Sequence, residues 1–167
     1  MATTNILGVF EPQTAHFPSS NFGTFDTRNN HPVIDLDDTT QETIYFKGRM
    51  PANYSGGGIT VEIHYAMTSA TTGGVVFEAA FERVSDSIQD IDSDGFAAAN
   101  ATSAITVPGT SGHVDITTIT FTDGADMDSV TAGDGYRLSI ARDADSTNAT
   151  DDATGDAEIW LIVVKET

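Results

Sequence analysis

The string Asp90-Ile91-Asp92-Ser93-Asp94-Gly95 sets three carboxylates one residue apart ahead of a glycine, the spacing that opens a calcium-binding loop. Hard oxygen ligands spaced this way converge on a divalent cation where a glycine permits the sharp turn. The complete loop requires a bidentate glutamate at its twelfth position, and Ala101 stands there. Asp90, Asp92 and Asp94 are therefore only half of a cation site, and a solvent-facing aspartate loop accounts for them better than calcium does. No metal is assigned. His16, His31, His64 and His113 are scattered, with no second ligand at zinc spacing, and His64 beside Glu62 reads as a cross-strand or interface contact. The chain has no cysteine, which removes thiolate nucleophiles and zinc–thiolate sites. It has no G-x-S-x-G, and Gly56-Gly57-Gly58 precedes a strand pattern and not the helix a phosphate cradle needs. No catalytic residue and no cofactor is assigned. Trp160 with Tyr45, Tyr54, Tyr65 and Tyr136 could form a sugar-stacking platform, a role that competes with packing in strands. Asn53, Asn100 and Asn148 head N-x-[ST] sequons, which matter only in a eukaryotic secretory setting.

The elements that would position these groups are strands. Ile59, Val61, Ile63, Tyr65 and Met67 alternate with Thr60, Glu62 and His64, and Val75, Phe77, Ala79 and Phe81 alternate with Val76, Glu78, Ala80 and Glu82. A two-residue period buries one face and wets the other. With the turn-rich residues 69–74 between them, the two runs predict an antiparallel hairpin or a near neighbour of one. Eight strands are expected, near 33–36, 43–49, 59–67, 75–84, 101–107, 113–122, 135–142 and 156–165, separated by glycine, proline and aspartate turn signals. Short strands so spaced argue for an all-β, antiparallel β-sandwich of jelly-roll type. The last run is apolar on both faces near its end, which predicts a central strand or one covered by a partner. The alanine run in 94–101 lacks alternation and suggests a helical turn.

Residues 1–31 show neither strand nor helix period, yet carry Phe10, Phe17, Phe22 and Phe25 among Asn, Ser, Thr and Pro. Spaced aromatics in an irregular segment read as anchors that dock either on this domain or on a neighbouring chain. The expected organisation is an extended N-terminal arm over 1–31 and a β-sandwich over 32–167. Met1 to Phe10 has no basic run and no long apolar run, so no secretory leader is expected. Ile159 to Val164 is the most apolar segment, far short of the roughly 20 residues that span a bilayer. The 25 acidic residues against 7 basic ones, a formal charge of -18, argue against nucleic acid and anionic membrane as partners. Many aspartates fall between the expected strands, over 86–94 and 143–156, where their side chains favour turns and keep a β-rich particle soluble.

Three stretches carry a family likeness: FKGRMPANYSGGGITVEIHYAMTSATTGGVVFEAAFERV, DIDSDGFAAAN and YRLSIARDADSTNATDDATGDAEIWLIVVKET. They resemble small virion proteins of tailed bacteriophages, over roughly residues 32 to 167, and among these capsid cement or decoration proteins. That resemblance implies a non-catalytic homotrimer on the outer surface of the capsid, made in the bacterial host cytoplasm, with the major capsid protein as partner. It fixes no binding residue. The arm contacts expected from the residues themselves are Phe10, Phe17, Phe22 and Phe25, and the subunit contacts Trp160 and Ile162. Fully extended, residues 1–31 would span about 100 Å. The alternative from another class is a carbohydrate- or receptor-binding sandwich of a phage tail or fibre, using exposed aromatics. A hydrolase assembled from distant strands is a third possibility.

Overall fold

A computed structural model describes residues 5–144 and 149–167. Its strands, in chain order, are β1 (Ile6–Phe10), β2 (Thr24–Arg28), β3 (His31–Leu36), β4 (Glu42–Arg49), β5 (Ile59–Met67), β6 (Gly74–Val75), β7 (Phe77–Val84), β8 (Asn100–Ala101), β9 (Ile105–Thr106), β10 (Asp115–Phe121), β11 (Gly135–Arg142) and β12 (Ala157–Glu166). Sheet A runs β10-β5-β12-β3-β2, with β1 also paired to β12, and sheet B runs β4-β11-β7-β8. Every pairing is antiparallel apart from one isolated bridge. The sheets face each other across one core, in which Tyr65 of sheet A lies 4.9 Å from Phe77 of sheet B and Phe121 lies 5.0 Å from Phe81, ring centre to ring centre. The protein is an all-β antiparallel sandwich, as the alternation predicts.

Four local expectations are corrected. The runs 59–67 and 75–84 do not form a hairpin: β5 pairs with β10 and β12 in sheet A, whereas β7 pairs with β11 and β8 in sheet B. Alternation says which face is buried but not which strand lies alongside, and the connection between these two crosses the sandwich. Residues 94–101 form no helical turn. They run along β7, where Ala97 N–H donates to Phe81 O at 2.9 Å before β8 begins. The expected strand at 101–107 is split into β8 and β9, which join different partners.

The fourth correction concerns residues 1–31. Their described part does not stand apart as an arm: β1 pairs with β12, β2 pairs with β3, and the stretch between them bridges the edge of sheet B at His16–Tyr45 and Phe22–Thr43. Phe10 is 8% exposed and packs between Phe46 and Tyr136, so it is a core residue and not a contact for a neighbour. The pairing of β1 with β12 sets Asn5 beside Glu166, whose N–H donates to Asn5 O at 2.9 Å.

Strand β12 is central in sheet A, as its two apolar faces predict, but it carries a bulge. Ile159 pairs with Tyr65 and Leu161 pairs with His64, leaving Trp160 as an extra residue. The inward phase therefore changes from Ala157 and Ile159 to Ile162 and Val164, all four buried. Ile162 is fully buried opposite Ile63, so it cannot serve as a subunit contact, whereas Trp160 remains 38% exposed.

Two charged features are built into this framework. Arg142, at the end of β11, is fully buried with Asp151 at 2.7 Å, and it also donates to the carbonyls of Ala153 at 2.6 Å and Gly155 at 2.8 Å. Asp151 in turn accepts Val76 N–H, so the pair ties residues 151–155 to the start of β7. On the outer face of sheet A, Asp35 sits in register between Thr24 and Glu158 with a buried Oδ1 that has no hydrogen-bond partner among the described residues. Burial, and then the nearby Glu158, Asp26 and Asp156, push its carboxyl up to about 6, against the pull of Arg28.

Three outcomes are expected. Arg142→Ala strands a buried carboxylate and lowers unfolding free energy by about 3–5 kcal/mol in urea melts, and a loss below about 1 kcal/mol would contradict the buried pair. Ile162→Ala costs about 2–5 kcal/mol, whereas Trp160→Ala costs about 1 kcal/mol or less. The raised carboxyl of Asp35 means that between its unfolded value and about pH 6 the folded state holds a proton the unfolded state releases. Its contribution to stability therefore falls as pH rises through that window and stays low above it. Asp35→Asn should raise the melting temperature at pH 7.5 but not at pH 4, and an equal shift at both would refute the assignment.

Candidate functional site

The β2–β3 turn is Asn29-Asn30, both in the left-handed region (φ 48° and 64°), the two-residue geometry whose twist suits an antiparallel hairpin. That turn pairs Arg28 with His31 across the hairpin. Both residues line a groove of about 580 Å³, together with Ala66 of β5, His113 before β10, and Glu158 and Trp160 of β12. The bulge presents the indole at this groove, where Glu158 and Ala66 face outward in the neighbouring register.

Arg28 reaches across the groove, forms an ion pair with Glu158, and donates to Met67 O at 2.8 Å. Glu158 is nearly sealed from solvent, so its negative charge is held by this contact. Gly112 closes the wall: its φ is +77°, and a Cβ there would lie 2.9 Å from the Arg28 guanidinium. Only glycine permits both the turn and the close approach. Beside the groove, the His64 ring lies 6.2 Å from that of Trp160, and His64 also sits 3.8 Å from the Glu62 carboxylate, which pairs with Lys165. The site thus combines an aromatic face, an oriented guanidinium–carboxylate pair and two imidazole rings in a concave setting, the composition suited to a small polar ligand with one apolar face.

The structure gathers the expected residues unevenly. Of the five aromatics of the proposed platform, Tyr54, Tyr65 and Tyr136 are core residues, Tyr45 lies on sheet B stacked 5.0 Å from Phe96, and Trp160 alone of the five lines the groove. Phe17, Phe22 and Phe25 are exposed, the first two as an edge-on pair 6.1 Å apart. Asp90, Asp92 and Asp94 do not converge on a common point. Asp94 caps Asp90 N–H at 2.7 Å and Asp90 caps Asp92 N–H at 3.0 Å, so these carboxylates serve their own loop. Among the described residues, the group that brings three carboxylate oxygens within 4.8 Å of one another is Asp37, Asp38 and Asp156, a donor set of the kind that suits calcium or magnesium. Burial, then repulsion from Asp37 and Asp38, raises the Asp156 carboxyl, whereas Thr39 hydrogen bonds lower that of Asp37. Asn53 and Asn100 bond to Asn5 and Thr120, and Asn148 lies outside the described residues. Sequence reasoning missed Arg28 and Glu158, which lie 130 positions apart; the Asn29-Asn30 turn was the one signal that could have placed Arg28.

No protein-family model matches the chain, and no curated protein matches it in sequence. Solved structures share its fold at low identity. The carbohydrate-binding module CBM6cm-2 of Cellvibrio mixtus lichenase 5A, in complex with cellotriose, has 11% identity and a TM-score of 0.51 over 97% of this chain and 98% of that one. The xylan-binding module CBM15 has 10% identity and a TM-score of 0.50 over 96% and 97%. An arabinose-bound α-L-arabinofuranosidase, MgGH51, has 7% identity and a TM-score of 0.54 over 90% of this chain but 23% of its own length. At such identities the likeness is one of architecture: this chain has the β-sandwich fold, of jelly-roll type, that these carbohydrate-binding modules have.

Proposed function

We propose that this protein is a non-catalytic carbohydrate-binding module whose groove on sheet A holds a sugar ring against Trp160. The carrying observation is the indole presented by the β12 bulge next to the Arg28–Glu158 pair. A pyranose offers an apolar C–H face and a rim of hydroxyls. The indole meets the face, and the charged pair, with His31 and His113, meets the rim through charge-assisted hydrogen bonds. Binding needs no reacting group, and the shared architecture of CBM6cm-2 and CBM15 supports the reading at the level of fold. A role on a virion is compatible with it, since a phage tail or fibre is one place where such a module would act.

The second reading, lateral contact with a major capsid protein lattice by a homotrimer, keeps Phe17, Phe22, Phe25 and Trp160 and loses Phe10 and Ile162. Its support is the exposed phenylalanine pair, and no sequence match supports a phage origin.

Trp160 is the sole tryptophan, so its fluorescence reports this groove alone. Titration with neutral xylan, β-glucan and arabinan oligosaccharides should shift that emission saturably for at least one of them. Trp160→Ala should weaken binding of the same sugar, measured calorimetrically, about tenfold or more. A glycan array with no retained sugar would sink this reading in favour of the lattice contact, and affinity unchanged in Trp160→Ala would remove the groove.

A further inference from the structure

We propose that a hollow on the outer face of sheet B is a second binding site, taking the carboxylate of an acidic sugar unit. Arg28, Arg83, Arg137, Arg142 and Lys165 each have a carboxylate within ion-pair distance. Among the described residues, the two basic side chains without one are Lys47 and Arg49. In a chain with 25 acidic residues and 7 basic ones, two unmatched cations at adjacent outward positions of one strand form a local exception to the overall charge.

Lys47 borders a hollow of about 470 Å³ with Glu82, Val84, Ile91, Gly135 and Arg137. The register explains its shape. Lys47, Arg137 and Glu82 form one row across β4, β11 and β7, and Arg49, Gly135 and Val84 form the next. Gly135 leaves the middle of that second row without a side chain, and a Cβ there would meet Val84 O at 2.9 Å. Arg137 is matched by Glu82 and lies 4.8 Å over the Phe96 ring, so it is a fixed wall of the hollow and not a spare charge. The spare charge belongs to Lys47 and Arg49. Arg49 lines the adjoining depression and is anchored through Nε to Gly133 O at 2.9 Å, which leaves its two terminal nitrogens without an acceptor among the described residues. A guanidinium held by one nitrogen is preorganised for a carboxylate.

The one carboxylate that lines the hollow, Glu82, is matched by Arg137, so it does not offset Lys47. At physiological salt the screening length is about 8 Å, so the groups nearest the ligand decide the local potential. Val84 and the exposed Ile91 add apolar surface for the ring that carries the anion. The saccharide part of the ligand rests on the sugar-binding reading, whereas the anion part rests on Lys47 and Arg49 alone.

The test is calorimetric titration of the full chain with trigalacturonate and with neutral galactotriose, in the parent protein and in Lys47→Ala, Arg49→Ala and Trp160→Ala. Lys47 and Arg49 are exposed, so their variants should keep the parent melting temperature. The expected result is saturable binding of trigalacturonate that each of the two cation variants weakens about tenfold or more and that Trp160→Ala leaves unchanged. Loss of that binding in Trp160→Ala would overturn the second site by placing the acid in the groove. Neutral oligosaccharides binding while trigalacturonate does not would overturn it and leave the groove reading standing. Succinate binding as tightly as trigalacturonate would overturn the sugar part.

Discussion

The extra residue in β12 sets the terms for both faces of sheet A. A central strand must satisfy a neighbour on each side, and a one-residue insertion normally turns its apolar set toward water. Here the change of phase coincides with a change of sequence pattern: Ala157 and Ile159 face inward before Trp160, and Ile162 and Val164 do so after it. The same insertion coincides with a change of partner, since β3 pairs with β12 before the bulge and β1 after it. One local irregularity thus closes the core, divides an edge between two strands and presents an indole at the groove.

Much of this architecture is legible from alternation. The bounds of β5 and β11 coincide with the expected 59–67 and 135–142, because alternate residues from Ile59 to Met67, and Tyr136, Leu138 and Ile140, give apolar inward faces and glycines stand beside them. Strand β2 is not legible. Its residues are nearly all exposed, so nothing in its composition marks one side from the other, and only the Asn29-Asn30 turn betrays the hairpin. The bulge is equally hidden, because Trp160, Leu161 and Ile162 are all apolar and either phase reads as sensible. Phe10 and Phe17 look alike in the sequence, yet one sits against Phe46 and the other on the surface. What distinguishes them is the register of β1 on β12, a contact over more than 150 positions.

The abundance of acid has a structural meaning beyond solubility. Asp37 accepts from Thr39 and Thr40, Asp126 from Thr122, Asp134 from Thr131, and Asp152 from Gly74. Each carboxylate satisfies backbone N–H groups, those of Asp37, Asp126 and Asp134 at turns and that of Asp152 at the start of β6. Such bonds favour the ionised form, and the carboxyls of Asp126 and Asp134 lie below their ordinary values, Thr131 and Arg83 outweighing burial at Asp134. Aspartate therefore works here as the pin of these loops, whereas the loop of Gly112 and His113 is held by backbone bonds to Met67 O and Thr110 O.

The adjacency of Asn5 and Glu166 has a mechanical consequence. Strands β1 and β12 are antiparallel and meet at these two residues, so tension drawn through both ends loads their hydrogen bonds one after another, as a zipper is loaded. Shear across the whole ladder, the geometry that resists pulling best, is absent from that direction. Under such a load β1 would peel away first, uncovering Leu7 and Phe10, while the Arg142–Asp151 pair at the far side of the sandwich stayed unstressed.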